Sequence, residues 1–440
     1  MHLHDPLRCG VAAGVLASLL LGCGPIVPAA DDGGEGSAGD TGSDDATVTG
    51  GADADASAGE GADDTVADGG TPVCGDGIVD ADEACDDGDA DNGDGCNVDC
   101  RRSGDPLWTV VIDHADGEST YATRVAISAV GQVFAGVTHF DAGGHGGAEL
   151  WALDREGGVA WAAQSSFEAE IEQVFGLVAS STGDPSMFTS TILQSTYASV
   201  VQTYDADGAL RSGVFVGTGS QSYAAASTID GLDTVITLGL DADTNAAWLE
   251  GTDQDGGTRW FAQPSAQVAA VAGVGTGGLY VLDAVAGPGG GYAVGRLDAD
   301  GAPLWSTTTP CTGLLAVGGD DDVTLVAYAD EGMQLCRVTR DGSFVGASTV
   351  ATVAHAIAAT GTDGGDVIVG GYVDGGSSQI SPWIGRISAQ DQVLWTHTPE
   401  VDSSSAFVQT IAADEGVGIV VAGMSVTIDA SYGYLVALTP

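Results

Sequence analysis

After residue 103 the chain is dominated by short runs in which apolar and polar residues alternate. Residues 123–127 (TRVAI) alternate in this way, and a Gly/Asp turn separates them from an apolar run ending in glycine at 133–136. Residues 367–370 and 419–423 repeat that second run. Alternation between turn clusters is typical of β-strands. Because no segment shows a helical stripe, the pattern predicts an all-β domain over residues 103–440.

A second pattern, Asp-x-x-Gly-x-x-x-Trp, recurs at a much longer interval. It is complete at 154–161, 253–260 and 298–305, while 388–395 keeps the length, 205–208 and 339–342 keep only the turn, and 104–108 is a partial copy. The tryptophan positions, including two where Ser212 and Gly346 replace the ring, are 108, 161, 212, 260, 305, 346 and 395, spaced 41 to 53 residues apart. This period predicts propeller blades of four strands each.

The count of repeats predicts how the ring closes. An eighth position would fall at about residue 446 by extension of this period, so the last unit, 406–438, has three strands and the strand at 107–112 has no blade of its own. We expect 107–112 to pair with 435–438 and complete a seven-bladed ring, with Trp108 inside the seventh blade. Five tryptophans are expected to fill the wedges between blades: Trp108, Trp161, Trp260, Trp305 and Trp395.

These repeats resemble the seven-bladed bacterial propeller repeats of the SBBP type over about residues 104–438, and more loosely those of quinoprotein propellers. The quinoprotein resemblance would imply a metal-bound quinone and a catalytic carboxylate. No residues here match them, so no cofactor is expected. The GxGxxG stretch at 273–278 precedes a strand-like run at 279–282, so it is interpreted as a glycine-rich hairpin turn rather than a dinucleotide site.

The N-terminal residues indicate export. An apolar stretch at 11–21 follows Arg8 and is shorter than the ~20 residues needed to span a bilayer. It ends in Leu20-Leu21-Gly22-Cys23, which resembles the lipobox of bacterial lipoproteins. The resemblance implies a signal peptide at 1–22 and a lipid on Cys23, and Gly24 implies sorting to the outer membrane. A position on the cell surface is expected, with the periplasmic side of that membrane as the alternative. Ordinary secretion is the alternative.

The following segment and the net charge restrict the partners. Residues 24–72 contain neither an aromatic residue nor a cation, so we expect a disordered acidic tether spanning roughly 35–42 Å. The formal net charge is −51, and all eleven cations are arginine. Such a surface repels phosphate backbones and anionic headgroups. The expected partners are the outer membrane, through the lipid, and an unknown protein or glycan, but not nucleic acid.

Residues 73–102 form a compact module with four cysteines. It resembles the Myxococcus cysteine-rich repeat, on the residues Cys74-Gly75, Gly77, Glu83, Cys85-Asp86-Asp87-Gly88, Asp94-Gly95-Cys96 and Cys100. Asp89 departs from the asparagine frequent in that family. A segment this small needs covalent support, so two disulfides are expected, and the sequence leaves all three pairings open.

The same module is a candidate calcium site. Asp87, Asp89 and Asp91 alternate as in an EF-hand loop, but Asn92 replaces the turn glycine and Val98 replaces the bidentate glutamate. An EF-hand is therefore not expected, and a looser calcium site is the alternative that remains.

Two further groups of residues are singled out. Cys311 and Cys336 fall within one blade of an exported chain and are expected to form a disulfide. His114, His139 and His145, with Asp116 and Asp141, are candidate ligands of a borderline metal on the face of the ring that carries the longer loops. His355 and His397 lie near strand ends on the same face. The alternative is that these histidines are simply solvated.

The sequence contains neither a Gly-x-Ser-x-Gly nucleophile elbow nor a His-Glu-x-x-His motif. A noncatalytic binding or scaffold module for a protein or glycan is therefore expected. The alternative is a propeller enzyme, a hydrolase or lyase, with a channel site that the sequence does not identify.

Overall fold

The computed structural model describes residues 73–80, 83–112, 119–141, 143–165, 171–193, 196–218, 222–264, 267–285, 291–329, 332–352, 354–374, 379–401, 405–414, 416–427 and 431–440. Within these ranges the fold is all-β, as predicted: seven antiparallel sheets of four strands. No helix in these ranges is long and apolar enough to cross a membrane. The signal peptide, Cys23 and the acidic tether lie outside the described residues.

The strands are numbered in chain order. The strand β1 spans Pro106–Ile112. Blades 1 to 3 contain β2 Ser119–Ile127, β3 Val133–Phe140, β4 Gly146–Leu153, β5 Val159–Gln164, β6 Ile171–Ala179, β7 Pro185–Leu193, β8 Thr196–Tyr204, β9 Leu210–Val216, β10 Ser222–Ile229, β11 Val235–Asp241, β12 Ala247–Thr252 and β13 Thr258–Ala262. Blades 4 to 6 contain β14 Gln267–Gly273, β15 Leu279–Val285, β16 Gly291–Leu297, β17 Pro303–Thr309, β18 Leu314–Val317, β19 Val323–Ala329, β20 Gly332–Val338, β21 Phe344–Val350, β22 Ala354–Gly361, β23 Val367–Asp374, β24 Ile380–Ile387 and β25 Val393–His397. Blade 7 contains β26 Ser405–Asp414, β27 Gly418–Val426 and β28 Ser431–Leu438, together with β1.

The ring closes as the repeat count predicts. The strand β1 pairs antiparallel with β28, Trp108 opposite Ala437 and Val110 opposite Leu435, and so becomes the fourth strand of blade 7. The first strands of successive blades contact one another all the way round, β26 and β2 included, and therefore surround the central axis. The prediction of seven blades closed by an N-terminal strand is confirmed.

Apolar side chains fill the space between neighbouring blades. One cluster joins Phe134 and Leu150 of blade 1 to Val174 and Met187 of blade 2, and each of these side chains is buried. Because each sheet packs against a neighbour on both faces, the residues of its middle strands are buried in succession, as in the first six residues of β3. The fourth strands pack less completely and keep an alternating pattern of burial.

The tryptophans occupy the predicted wedges, each against a glycine of the next blade. A methyl group on Gly208 would lie 2.7 Å from the ring of Trp161, and Gly208 also has a φ of +86°. Glycine is thus required there both for the left-handed backbone and for the close approach. Where Gly346 replaces the tryptophan, the next turn carries Asp391, with a φ of +64°, in place of glycine. A turn without a ring against it tolerates a side chain.

Two local predictions can be compared with the structure. Cys311 and Cys336 are bonded, with their Cα atoms 6.1 Å apart, and both are fully buried in blade 5. The GxGxxG stretch forms the end of β14 and the hairpin turn into β15. That agrees with the hairpin interpretation.

The cysteine-rich module differs from its prediction. Cys85 and Cys96 form a disulfide, whereas Cys74 and Cys100 carry free thiols. The expectation of two disulfides is therefore met for one pair only. Desolvation and hydrogen bonds with Cys74 and Glu83 raise the pKa of Cys100 to about 12. This thiol stays protonated near neutral pH and is a poor nucleophile in that state.

Candidate functional site

The ring has two unlike faces. One, here called the turn face, carries the first-to-second and third-to-fourth turns of each blade, and the other, the loop face, carries the remaining connections. On the turn face the leading aspartates stabilise their own turns: Asp298 Oδ1 accepts the N–H groups of Asp300 and Ala302 at 3.0 and 2.8 Å. Asp154, Asp205 and Asp253 do the same in their turns. These carboxylates are engaged by their own turns, which leaves the loop face as the candidate surface for a site.

Three aromatic side chains form a stacked column at the loop-face ends of blades 5 and 6. The rings of Tyr328 and His355 have centroids 4.1 Å apart and planes inclined by 21°. The rings of His355 and Tyr372 are 4.8 Å apart and inclined by 9°. Tyr328, at the end of the column, is 51% exposed. The column is therefore accessible from solvent at its Tyr328 end.

The strands explain why these rings meet. His355 on β22 pairs directly with Tyr372 on β23, which places their side chains side by side on one face of the sheet. Tyr328 comes from β19 of the preceding blade and reaches across the wedge. An exposed aromatic face offers a flat apolar surface with negative charge density, suited to the apolar face of a ligand or to a cation.

The predicted histidine–aspartate set is only partly assembled. His145 Nδ1 lies 3.0 Å from Asp141 Oδ2, and hydrogen bonds from the backbone and side chain of His145 hold the pKa of Asp141 below its usual value. The ring nitrogens of His139 do not lie within 4.8 Å of the ligand atoms of both His145 and Asp141, so the three residues do not form a metal-binding group. His114 and Asp116 lie outside the described residues. Of the described residues of the set, His145 and Asp141 form a hydrogen-bonded pair on the surface.

The fifth loop-face histidine, His397, ends β25. Burial lowers its pKa, and the nearby carboxylates of Asp105 and Glu400 oppose that effect.

Within the described ranges, the only three potential metal-binding groups that converge lie in the cysteine-rich module. Carboxylate oxygens of Asp87, Asp89 and Asp94 lie within 4.8 Å of one another, and all three residues are exposed. The sequence pattern suggested Asp91 as the third carboxylate beside Asp87 and Asp89, whereas in the structure the third carboxylate is that of Asp94. Desolvation, together with repulsion from the neighbouring aspartates, raises the pKa of Asp94. Calcium usually takes six to eight oxygen ligands, so three exposed carboxylates are an incomplete set.

One buried acid resembles a catalytic group in its titration but not in its accessibility. Burial raises the pKa of Glu172, which is 3% exposed. Its carboxylate accepts hydrogen bonds from Ser165 at 2.6 Å and from Gln202 at 3.5 Å. Since a substrate could not reach this carboxyl group as it stands, we interpret it as part of the packing of blade 2.

The sequence identified only one member of the aromatic column, His355. Tyr328 and Tyr372 were missed because stacking between blades is not visible in a single repeat. The signal that could have revealed them is a tyrosine near the end of the second strand in two consecutive blades.

Comparison with known proteins adds only a distant likeness of fold. No family model matches the chain, and no curated protein matches it. Among solved structures, the β-propeller domain of the Trilobed protease from Pyrococcus furiosus, which has an open velcro topology, is 9% identical, with 73% of this chain and 98% of that chain covered and a TM-score of 0.48. A protein of unknown function from Bacteroides caccae is 12% identical, with coverage of 60% and 94% and a TM-score of 0.41. A puromycin hydrolase is 10% identical, with coverage of 70% and 58% and a TM-score of 0.41.

Proposed function

We propose that this protein is a noncatalytic cell-surface lipoprotein whose propeller binds a protein or glycan through its loop face. The observation that carries the proposal is the aromatic column. Tyr328 is half exposed, and the stacked rings of His355 and Tyr372 hold it in place. A ring supported in this way can bind a ligand with little loss of side-chain freedom.

The surface location is part of the same proposal. Residues 1–22 act as a signal peptide, Cys23 carries the lipid that anchors the protein in the outer membrane, and residues 24–72 hold the ring away from that membrane. The module at 73–102 belongs to the Myxococcus type of cysteine-rich repeat. Mass spectrometry of the mature N-terminus should find an acylated Cys23. An unmodified N-terminus at another residue would refute the anchor.

Binding is tested by changing the column. Full-length protein would be used to capture ligands from an extract of surface proteins and from a glycan array, with wild type and Tyr328→Ala side by side. We expect Tyr328→Ala to weaken capture by about tenfold or more, since buried aromatic anchors dominate interfaces, and Tyr328→Phe to retain it.

Tyr197→Ala is the matched control, because Tyr197 is 46% exposed at the loop-face end of blade 2. Equal losses in Tyr328→Ala and Tyr197→Ala would contradict a site at the column. Cleavage of the captured ligand by the wild-type protein would favour the hydrolase or lyase alternative.

A further inference from the structure

The third-to-fourth turns of the blades share one pattern of hydrogen bonds. In blade 1 the N–H of Asp154 donates to the carbonyl of Gly158 at 2.8 Å, and the N–H of Gly157 donates to the carbonyl of Asp154 at 3.1 Å. The Asp154 carboxylate accepts the N–H of Gly158 at 2.6 Å. Gly157 has a φ of +84° and lies against Trp108. All residues of this turn are consecutive in the chain.

Blade 7 contains the same turn, built from two distant segments. The N–H of Thr439 donates to the carbonyl of Asp105 at 2.9 Å, and the N–H of Gly104 donates to the carbonyl of Thr439 at 3.3 Å. Thr439 Oγ1 accepts the N–H of Asp105 at 3.0 Å. Gly104 has a φ of +81° and lies against Trp395. Thr439 and Gly104 thus occupy the places of the aspartate and the glycine in an ordinary turn.

The segment that replaces the covalent turn is held by the cysteine-rich module. The N–H of Ser103 donates to the carbonyl of Gly95 at 3.2 Å, and Ser103 Oγ donates to Asn97 Oδ1 at 3.0 Å. Cys96 and Arg102 form a β-bridge. Asn97 and Cys96 are the most deeply buried side chains here, at 3% and 2% exposure. Residues 95–97 of the module therefore contact the segment that leads into the split turn.

A second contact seats the module on blade 6. Gly93 lies against the guanidinium of Arg386, so closely that a methyl group on Gly93 would overlap it. Arg386 Nε in turn donates to Asp366 Oδ2 at 2.9 Å, and both side chains are largely buried. The module therefore contacts the ring at two places, the start of its closing strand and blade 6.

We propose that the cysteine-rich module functions as a clasp for the ring. It holds residues 103–105 in place of a covalent turn, and so stabilises the pairing of β1 with β28. A pairing between segments more than 300 residues apart carries a large cost in chain entropy. A docked module reduces that cost by fixing where β1 begins.

Undocking the module without touching the ring core tests the clasp. Gly93→Leu in the full-length protein should displace the module from Arg386. Hydrogen exchange followed by mass spectrometry should then show about tenfold faster exchange in β1 and β28, with β3 and β4 unchanged. Gly144→Leu is the matched control, since Gly144 also has a positive φ, +81°, but faces open space.

A second variant acts at the turn itself. Thr439→Val removes the hydroxyl that accepts from Asp105 and donates to the carbonyl of Arg102 at 2.7 Å. It should speed exchange in β1 by several-fold while the module keeps its protection. Unchanged exchange of β1 in either variant would contradict the proposal. So would faster exchange of Gly93→Leu confined to residues 84–100, because the module would then not stabilise the closure of the ring.

Discussion

The cysteine-rich module is organised around a carboxylate, whereas the core of the propeller ring is built from apolar packing. In the module, Asp86 accepts four backbone N–H groups, from Gly75, Asp76, Gly77 and Gly88, at 2.8 to 3.2 Å. In the ring, apolar clusters fill the wedges and the buried Glu172 is desolvated. A short chain that cannot build a core organises its backbone around a charge, whereas a larger chain can bury enough apolar surface to hold its strands together.

This difference predicts opposite responses to pH. Desolvation raises the pKa of Asp86, but its four backbone hydrogen bonds outweigh that effect and lower the pKa below its usual value. Its stabilisation is present above the unfolded pKa of about 3.9 and is lost as the pH falls through the folded value. The pKa of Glu172 is raised, so its contribution is present below about pH 4.3 and is lost as the pH rises through the folded value.

The largest effect is expected from opening the ring. Deletion of residues 103–112 removes β1 and leaves β28 as an unpaired edge, so we expect unfolding or aggregation. Size-exclusion chromatography and thermal unfolding would measure this. Deletion of the acidic tether, residues 24–72, is the control and should leave the melting temperature unchanged. If the variant that lacks residues 103–112 stayed monomeric and kept the wild-type melting temperature, β1 would not be needed to close the ring.

The two disulfides should differ in how strongly their loss destabilises the ring. Cys311→Ala with Cys336→Ala opens a loop in the ring core and should cost roughly 3–4 kcal/mol of unfolding free energy in the chain-entropy model. Cys85→Ala with Cys96→Ala should abolish protection in the module and lower the melting temperature of the ring by less. Calorimetry of both double variants measures the difference. An equal loss of ring stability would erase the distinction between the two regions.

Asp86→Asn should act first on the module. The amide replaces one accepting oxygen with an N–H₂ group. This group is a donor only, so it cannot accept the hydrogen bonds of the backbone N–H groups that it faces. We expect faster proteolysis within residues 74–100 at pH 7, with cleavage of wild type approaching that of the variant only at acid pH. Hydrogen exchange in β3 and β4, which do not pair with the closing strand, should not change. A module as resistant as wild type at pH 7 would show that Asp86 is not its organising group.

The smallest effect is expected from Glu172→Gln. A neutral amide avoids burying a charge, so the variant should melt about 1–3 °C above wild type at pH 7 and lose that advantage near pH 4. Glu156→Gln, at an exposed turn position, is the control for the change in net charge. A destabilised Glu172→Gln at pH 7 would mean that the ionised carboxylate stabilises blade 2.

Particular residues show how far the sequence could be interpreted. Seven repeat positions, five with tryptophan and two (Ser212 and Gly346) recognised by their turns alone, were enough to predict seven blades, because one blade is a local unit repeated with its own turn. The pairing in the cysteine-rich module could not be predicted, since four cysteines at similar spacing satisfy three connectivities equally. The structure bonds only Cys85 to Cys96.

The sequence by itself determined the fold class, the number of blades and the strand that closes the ring, because strand alternation and turn chemistry act over a few residues. Only the tertiary structure decided which side chains meet across the wedges. Tyr328 reaches His355 from another blade, and Thr439 completes a turn with Gly104, although 335 positions separate them in the numbering. Such contacts depend on the closed geometry of the ring, which places residues from distant segments within hydrogen-bonding distance without any local pattern that marks them.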